Sequence, residues 1–254
     1  MWVYSSGRSP TPTILYEYQP TRSGQHARRF LEGFSGYLQT DGYSGYHAVP
    51  DVVHCGCWAH LRRKFEEALP KAAEMIGSKA AVGLNYCNRL FGLEQVWEEL
   101  SADERCDKRL QNSKPLLDEF WKWISSLDPL QNSNLGKAVT YALNQKETLN
   151  NFLLDGRIEI SNNRAENAIR PFVNGRKNWL FSDTPRGAKG GAIVYSMIET
   201  AKANHLNPYM YLVFLLTKLP DLKDLSIKSL KPFLPWSPEL PAWCRNNVTD
   251  NKAP

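Results

Sequence analysis

Between residues 70 and 150 the apolar residues recur at intervals of three and four, which is the period of an amphipathic helix, and little resembles a strand. The apolar positions that carry this period are Leu90, Leu93, Trp97, Leu100, Leu116, Phe120, Trp123, Ile124 and Leu127. We therefore predict an all-helical block, in which the segment SADERCDKRLQNSKP is a solvated connection between helices. Any β-sheet has to be built from the residues before and after this block.

The residues before the block alternate between strand and helix patterns. Residues 1–4 (MWVY) and 13–18 (TILYEY) are rich in β-branched and aromatic side chains and flank a turn, which predicts a hairpin. A helix follows from the candidate N-cap Ser23 to Gly36. GYLQTD and DVVHCGCWAH are two further predicted strands, and LRRKFEEAL begins a helix. The pattern predicts an α/β fold.

The residues after the block turn basic. Residues 157–191 contain seven Lys or Arg and three acids. A helix capped by Ser161 or Asn162 is predicted, and Pro171 should kink or end it near Arg170. Two more helices are predicted at 191–204 and 207–217, and the proline-rich tail from 220 onward is mostly irregular.

Composition narrows the classes of protein to consider. Five cysteines are an odd number and the N-terminus lacks a long apolar stretch, so a secreted disulfide scaffold is disfavoured and a reducing cytoplasm is expected. The longest apolar run, MYLVFLL, is far shorter than the roughly 20 residues of a membrane helix. We expect a soluble protein without a membrane partner. A net charge of +5 permits a polyanionic partner without requiring one.

Two isolated acids deserve a functional interpretation beside an ordinary one. Asp41 ends an apolar strand pattern and precedes Gly42, so by itself it fits a common turn. Glu166 falls early in a predicted helix, where pairing with Arg170 one turn later would explain it. Each acid taken alone favours the ordinary explanation. Their combination, separated by a helical block, changes this weighting.

Three segments are distinctive in combination, namely QTDGYSGY, GCWAHLRRKF and NNRAENAIRPFVNGRKNWLF. Through these segments the chain resembles the DDE transposases, and the insertion sequence 66 transposase family in particular. The resemblance implies an RNase H-like core, a mixed sheet flanked by helices and interrupted by an all-helical insertion. Residues 1–69 and 151–219 would form the two parts of the core, 70–150 the insertion, and 220–254 a C-terminal tail.

The resemblance also implies a chemistry for the two acids. Asp41 matches the second acid of the catalytic triad and Glu166 the third, so both would bind a pair of Mg²⁺ or Mn²⁺ ions. Such ions activate a water or a 3′-hydroxyl and stabilise the leaving oxygen during displacement at phosphorus. The partners would be transposon-end and target DNA, with the protein acting as a homo-oligomer on the DNA.

The match departs from the family pattern at the first acid of the triad. No Asp or Glu precedes Glu17, and Glu17 lies among tyrosines without a motif match. We expect the chain to be the C-terminal part of a transposase that cannot cut DNA by itself. The alternative is a catalytically dead DNA-binding or dimerising remnant that modulates an intact transposase. A stand-alone RNase H-like nuclease is disfavoured, since the match runs through the helical block and the tail.

Further candidate residues lie near each acid. Cys57 and His60 have a Cys-x-x-His spacing that suggests zinc, but two ligands are too few, so we favour packing or orientation of the active site. The cations expected to contact DNA phosphates, because they cluster around Glu166, are Arg164, Arg170, Arg176, Lys177, Arg186 and Lys189.

Overall fold

A computed structural model describes residues 1–71, 77–179 and 182–246, without the side chains of residues 176–179. The chain is mixed α/β, as predicted, and divides into two compact units. The first unit comprises Met1–Thr21 together with the chain from Arg164 onward, and the second comprises Arg22–Asn163.

The strands and helices follow one another in this order along the described chain. They are β1 (Trp2–Ser5), β2 (Ile14–Glu17), α1 (Gly24–Phe30), β3 (Gly36–Gln39), β4 (Val52–Cys55), α2 (Trp58–Glu67), α3 (Lys79–Val96), α4 (Ala102–Lys108), α5 (Lys114–Ser125), α6 (Asn134–Asn144), α7 (Lys146–Asn150), α8 (Asn163–Trp179), α9 (Pro185–Ala203), α10 (Pro208–Lys218) and α11 (Ile227–Leu230).

The first unit begins with the predicted hairpin, in which β1 and β2 pair antiparallel from Trp2 opposite Glu17 to Ser5 opposite Ile14. Helix α9 covers the other edge of β2. The Thr200 hydroxyl accepts a hydrogen bond from the Ile14 amide at 3.0 Å, and Ser196 accepts one from the Tyr16 amide at 2.8 Å. Side chains of a helix thus satisfy backbone groups that a strand edge would otherwise leave exposed.

Helix α8 continues through Pro171 to Trp179, so it does not end near Arg170, and the alternative of a kink there stays a prediction. Proline removes one intrahelical donor and crowds the preceding turn, and a helix of 17 residues retains the remaining bonds. The predicted helices in the C-terminal region are confirmed as α9 and α10. The tail adds short turns and α11, and it contributes Leu240 to a small core with Leu206 and Tyr211.

The second unit contains the parallel pair β3 and β4, in register from Gly36 beside Val52 to Gln39 beside Cys55. The strand predicted over DVVHCGCWAH ends at Cys55, so Cys57 is not a strand residue but the N-cap position of α2. The residue between the two cysteines is a glycine, Gly56, because the backbone there lies too close to α7 for a side chain. A Cβ at Gly56 would lie 2.8 Å from the Thr148 hydroxyl oxygen.

The helical block is confirmed over the described residues 77–150 as α3 to α7. The predicted solvated connection is wrong, since Ala102–Lys108 form α4, a π-helical turn follows, and Lys114 begins α5. Ser101 and Glu104 form a capping box that starts α4.

Helix α2 and the block share one hydrophobic core. Trp58 and Phe65 of α2 are fully buried, and both rings pack against Phe120 of α5, with centroids 5.4 and 6.4 Å apart respectively. Leu149 completes this layer, and its carbonyl oxygen accepts a hydrogen bond from the Trp58 indole at 2.8 Å. The helical block therefore supports the helix that directly follows β4.

Two buried arginines join the block to the segment that precedes α8. Arg109 is 0% exposed and forms an ion pair with Glu94 at 2.6 Å. Its guanidinium also donates to the carbonyl oxygens of Phe152, Asp155 and Ile158 at 2.7 to 2.9 Å. Arg105 binds further carbonyl oxygens, among them that of Gly156 at 2.8 Å. These bonds fix an irregular segment whose backbone has no partners of its own in a regular ladder.

Among the described residues, no helix combines the length and the apolar character needed to cross a membrane.

Candidate active site

Asp41 lies two residues beyond β3, at the strand end where the sequence predicted it. Because β3 and β4 are parallel, their carboxyl ends meet at one edge, and Cys57 lies two residues beyond the end of β4. The Thr40 amide donates to the Cys55 carbonyl at 3.0 Å and continues the pairing up to Asp41. The acid is thus attached directly to rigid backbone.

The turn after Asp41 fixes one of its carboxylate oxygens. Oδ1 of Asp41 accepts a hydrogen bond from the Tyr43 amide at 3.0 Å. Gly42 has φ +81°, a left-handed conformation that glycine adopts without strain. Within the described part of the chain, Oδ2 of Asp41 receives no hydrogen bond, and the residue is partly exposed. One oxygen therefore remains available to bind an incoming group.

Burial and the negative charge of Asp41 together raise the pKa of two tyrosines. Burial, and then the negative charge of Asp41, raise the pKa of Tyr46 to about 12, although Arg22 opposes this effect. Burial, followed by the charges of Cys57 and Asp41, raises the pKa of Tyr141 to about 12 as well. Both phenols therefore remain protonated at neutral pH and can act only as neutral donors or acceptors near the carboxylate.

Cys57 and His60 lie where β4 passes into α2. Cys57 is 0% exposed, and its Sγ accepts a weak hydrogen bond from the Asn162 amide at 3.5 Å. His60 occupies the first turn of α2 and is partly buried. The backbone beside them is tied down by a bond of 3.1 Å from the Trp58 amide to the Ile160 carbonyl. These contacts are those of residues that join two segments of the chain.

Glu166 lies in the first unit, in the first turn of α8, and is partly exposed. A carboxylate is favoured at this position because the first turn of a helix carries a partial positive charge. Asp41 lies in the second unit, so the two predicted metal ligands are carried by different units of the chain.

The predicted DNA-contacting cations also lie in the first unit. Arg164 and Arg170 are exposed on α8, and Arg186 and Lys189 are exposed in the first turns of α9. The backbones of the other two, Arg176 and Lys177, belong to α8, and their side chains lie outside the described residues. The four described cations are accessible to a polyanion.

Three polar residues of the helical block have structural roles that the sequence pattern does not predict. Tyr141 contacts the turn at Asp41, yet in the sequence it is one more apolar position of a helix. Arg105 and Arg109 were assigned to a solvated connection, although the capping pattern of Ser101 and Glu104 already indicated that a helix begins there.

Comparisons with known proteins agree with the motif pattern. The family profile described as Transposase IS66 family matches residues 1–190, and the profile described as IS66 C-terminal element matches residues 196–236. No solved structure matches the chain.

The chain is also similar to curated proteins of Sinorhizobium fredii (strain NBRC 101917 / NGR234). "Uncharacterized protein y4hP" is 31% identical over 243 residues, which cover 86% of this chain and 44% of the relative. "Uncharacterized protein y4qI" is 32% identical over 237 residues, covering 86% and 43%. The chain thus spans less than half the length of these relatives. Since the first profile covers 190 of the 254 residues, the chain belongs to the IS66 transposase family.

Proposed function

We propose that this chain carries catalytic residues of a DNA transposase that cuts transposon ends and joins them to target DNA by metal-dependent phosphoryl transfer. Membership of the IS66 transposase family carries the proposal, because the matched region includes both Asp41 and Glu166. The location of Asp41 directly after a strand and of Glu166 in the first turn of a helix supports it, since ligands on regular elements are held more rigidly than ligands on loops.

The proposed core is RNase H-like, with residues 1–69 and 151–219 as its two parts, 70–150 as a helical insertion and 220–254 as a tail. Among the described residues, the antiparallel pair β1–β2 and the parallel pair β3–β4 are two separate two-stranded sheets, and the proposed mixed sheet would contain both kinds of pairing. The confirmed helical character of the block supports its role as an insertion between the two acids.

Asp41 and Glu166 are suited to Mg²⁺ or Mn²⁺ by the chemistry of their donors. Both cations prefer oxygen ligands, and Asp41 keeps one carboxylate oxygen outside the hydrogen bonds of its turn. When bound, a pair of these ions supplies an activated water or 3′-hydroxyl and stabilises the leaving oxygen. The protein's contribution is to hold the two carboxylates in position.

Cys57 and His60 are proposed to shape this region rather than to bind zinc. The Sγ of Cys57 is already engaged with the Asn162 amide, which favours a packing role. A purified protein with one tightly held zinc ion per chain, measured by elemental analysis, would overturn this assignment.

The basic residues of α8 and α9 are proposed to bind DNA phosphates. The exposed guanidiniums of Arg164, Arg170 and Arg186 can each bridge phosphate oxygens, and Lys189 adds a point charge. Arg176 and Lys177 belong to the same proposal on the basis of the sequence alone. Such contacts position DNA without selecting its sequence. The protein is proposed to act in the cytoplasm, as a homo-oligomer on its DNA.

A second candidate is a DNA-binding or dimerising protein without catalysis. The observation that favours it is the triad, of which only Asp41 and Glu166 have matches here, since no acid precedes Glu17. Such a protein would bind DNA through the basic residues of α8 and α9 and would not catalyse phosphoryl transfer.

A cleavage assay on the labelled ends of the element separates the two candidates. The chain alone should not cut, because Asp41 and Glu166 match only the second and third acids of the triad. A chain extended at its N-terminus to supply the first acid should cut in Mg²⁺ or Mn²⁺, and Asp41→Asn or Glu166→Gln should abolish the cutting. An extended protein that binds the ends and never cuts them would favour the second candidate. Metal-dependent cutting by the chain alone would make Glu17 the next residue to substitute.

A further inference from the structure

The hydroxyl of Tyr141 is a buried polar group that packing does not explain. Its oxygen is buried and has no hydrogen-bond partner among the residues that the structure describes. The ring of Tyr141 packs against the hydrophobic core of the second unit, and the ammonium of Lys64 lies 5.0 Å from the ring centroid. A phenylalanine would make these ring contacts equally well, so the hydroxyl requires another reason.

The hydroxyl points to the turn that carries Asp41. A Cβ at Gly42 would lie 3.5 Å from the Tyr141 hydroxyl oxygen, which places that oxygen beside the residue that follows Asp41. Buried hydroxyls in folded proteins nearly always have partners, because leaving one unbonded is unfavourable. The Asp41 carboxylate is a charged acceptor at this turn, and after burial and Cys57 its charge contributes to the raised pKa of Tyr141.

The two groups complement each other chemically. One oxygen of Asp41 is held by the Tyr43 amide, and the other receives no hydrogen bond within the described residues. Tyr141 remains a protonated donor at neutral pH, since burial, with the nearby Cys57 and Asp41, keeps its pKa high. The donor and the acceptor that lack partners therefore lie at the same turn of the chain.

We infer that Tyr141 is a positioning residue for Asp41, whose hydroxyl donates to the carboxylate oxygen that the Tyr43 amide does not hold and so orients Asp41 for a divalent cation. This inference rests on the proposed function of Asp41 as a metal ligand. Groups that hydrogen-bond a metal ligand orient it, and their loss typically lowers metal affinity about 10- to 100-fold. Helix α6 of the helical block would then take part directly in the metal site.

The test compares Mn²⁺ binding by the wild-type chain and three variants, measured by electron paramagnetic resonance. The difference between the wild type and Asp41→Asn measures the Mn²⁺ binding that depends on the Asp41 carboxylate. Tyr141→Phe should weaken this binding about tenfold, at the lower end of the range for such partners. Its urea unfolding midpoint should fall only slightly, because the fold loses at most one hydrogen bond. Tyr86→Phe is the matched control, since Tyr86 packs against Phe120 and Trp123 in the same block.

Each outcome decides between the claims. Weaker Mn²⁺ binding in Tyr141→Phe with at most a small fall in the unfolding midpoint, and normal binding in Tyr86→Phe, supports the inference. Unchanged Mn²⁺ binding in Tyr141→Phe, with binding lost in Asp41→Asn, overturns the inference and leaves the proposed function standing. If Asp41→Asn itself binds Mn²⁺ as the wild type does, the metal role of Asp41 fails and the inference fails with it.

Discussion

Arg109→Met tests whether the buried arginine holds the segment that leads into α8. The guanidinium donates twice to Glu94, at 2.6 and 2.7 Å, and three times to backbone carbonyl oxygens, so all five of its N–H groups are used. It is 0% exposed. The substitution keeps most of the apolar stem and removes every one of these bonds.

The expected loss of stability depends on which charged group each variant leaves buried without its partner. Arg109→Met buries the Glu94 carboxylate without its counter-charge, and breaking a buried pair in this way typically costs about 3–5 kcal/mol. Glu94→Leu strands the guanidinium instead and should cost a similar amount. The double variant, Arg109→Met with Glu94→Leu, leaves neither charge unpaired. It still leaves three carbonyl oxygens without donors, and each lost hydrogen bond costs about 1 kcal/mol. The double variant should therefore be about as stable as either single variant, or more stable.

Urea unfolding followed by far-ultraviolet circular dichroism measures these free energies, and hydrogen exchange with mass spectrometry locates the change. Exchange in residues 151–160 should accelerate strongly in Arg109→Met, because their carbonyl partner is lost. Arg157→Met is the matched control, since Arg157 pairs with Asp155 at the surface, with 68% of its side chain exposed, and should change little.

Two results would refute this reasoning. One is an Arg109→Met variant that loses less than about 1 kcal/mol, which is the value of a single ordinary hydrogen bond. The other is strict additivity of Arg109→Met and Glu94→Leu, because independent effects would mean that the two side chains do not form a pair.

Three further predictions address DNA binding, buried thiols and close packing. Arg186→Ala with Lys189→Ala should weaken binding to all duplexes about equally and flatten its salt dependence in fluorescence anisotropy; an unchanged salt slope would remove α9 from the DNA surface. Burial raises the pKa of the Cys87 thiol from 9.0 to about 12, so its stabilising effect is complete below pH 9 and is lost as the pH rises toward 12. Native protein should accordingly resist alkylation of Cys87 at pH 8.5, and rapid labelling detected by mass spectrometry would contradict the burial. Gly156→Ala should lower the melting temperature by several degrees, since its Cβ would lie 1.8 Å from a carbonyl oxygen, whereas Gly190→Ala meets nothing within 4 Å and should not; equal melting temperatures would rule out the close approach.

The strands and helices with strong local patterns could be predicted from the sequence. The hairpin β1–β2 and helix α10 depend on runs of β-branched, aromatic or apolar residues between turn residues, which are local signals. Asp41 was located correctly at a strand end for the same reason. The end of β4 could not be predicted in this way, because it depends on the close contact of Gly56 with Thr148, which is 92 positions away in the sequence.

The polar interior of the second unit could not be predicted from residue type. Arg105 and Arg109 lie in a strongly charged segment, and such segments are usually solvated. They are buried here because the carbonyl oxygens of residues 152–158 accept their donors, and these partners are distant in sequence. Tyr141 was missed for a related reason, since a tyrosine on the apolar face of a helix fits the core without its hydroxyl being considered.

We propose that Asp41 and Glu166 bind divalent metal together, and iron-directed cleavage of the protein backbone tests this proposal most directly. Fe²⁺ substituted for Mg²⁺, with ascorbate and peroxide, generates hydroxyl radicals that cut the chain next to the bound ion. We predict cuts beside both Asp41 and Glu166, which Mg²⁺ suppresses and which either Asp41→Asn or Glu166→Gln removes at both positions. Cuts beside Asp41 that persist unchanged in Glu166→Gln would contradict a shared site.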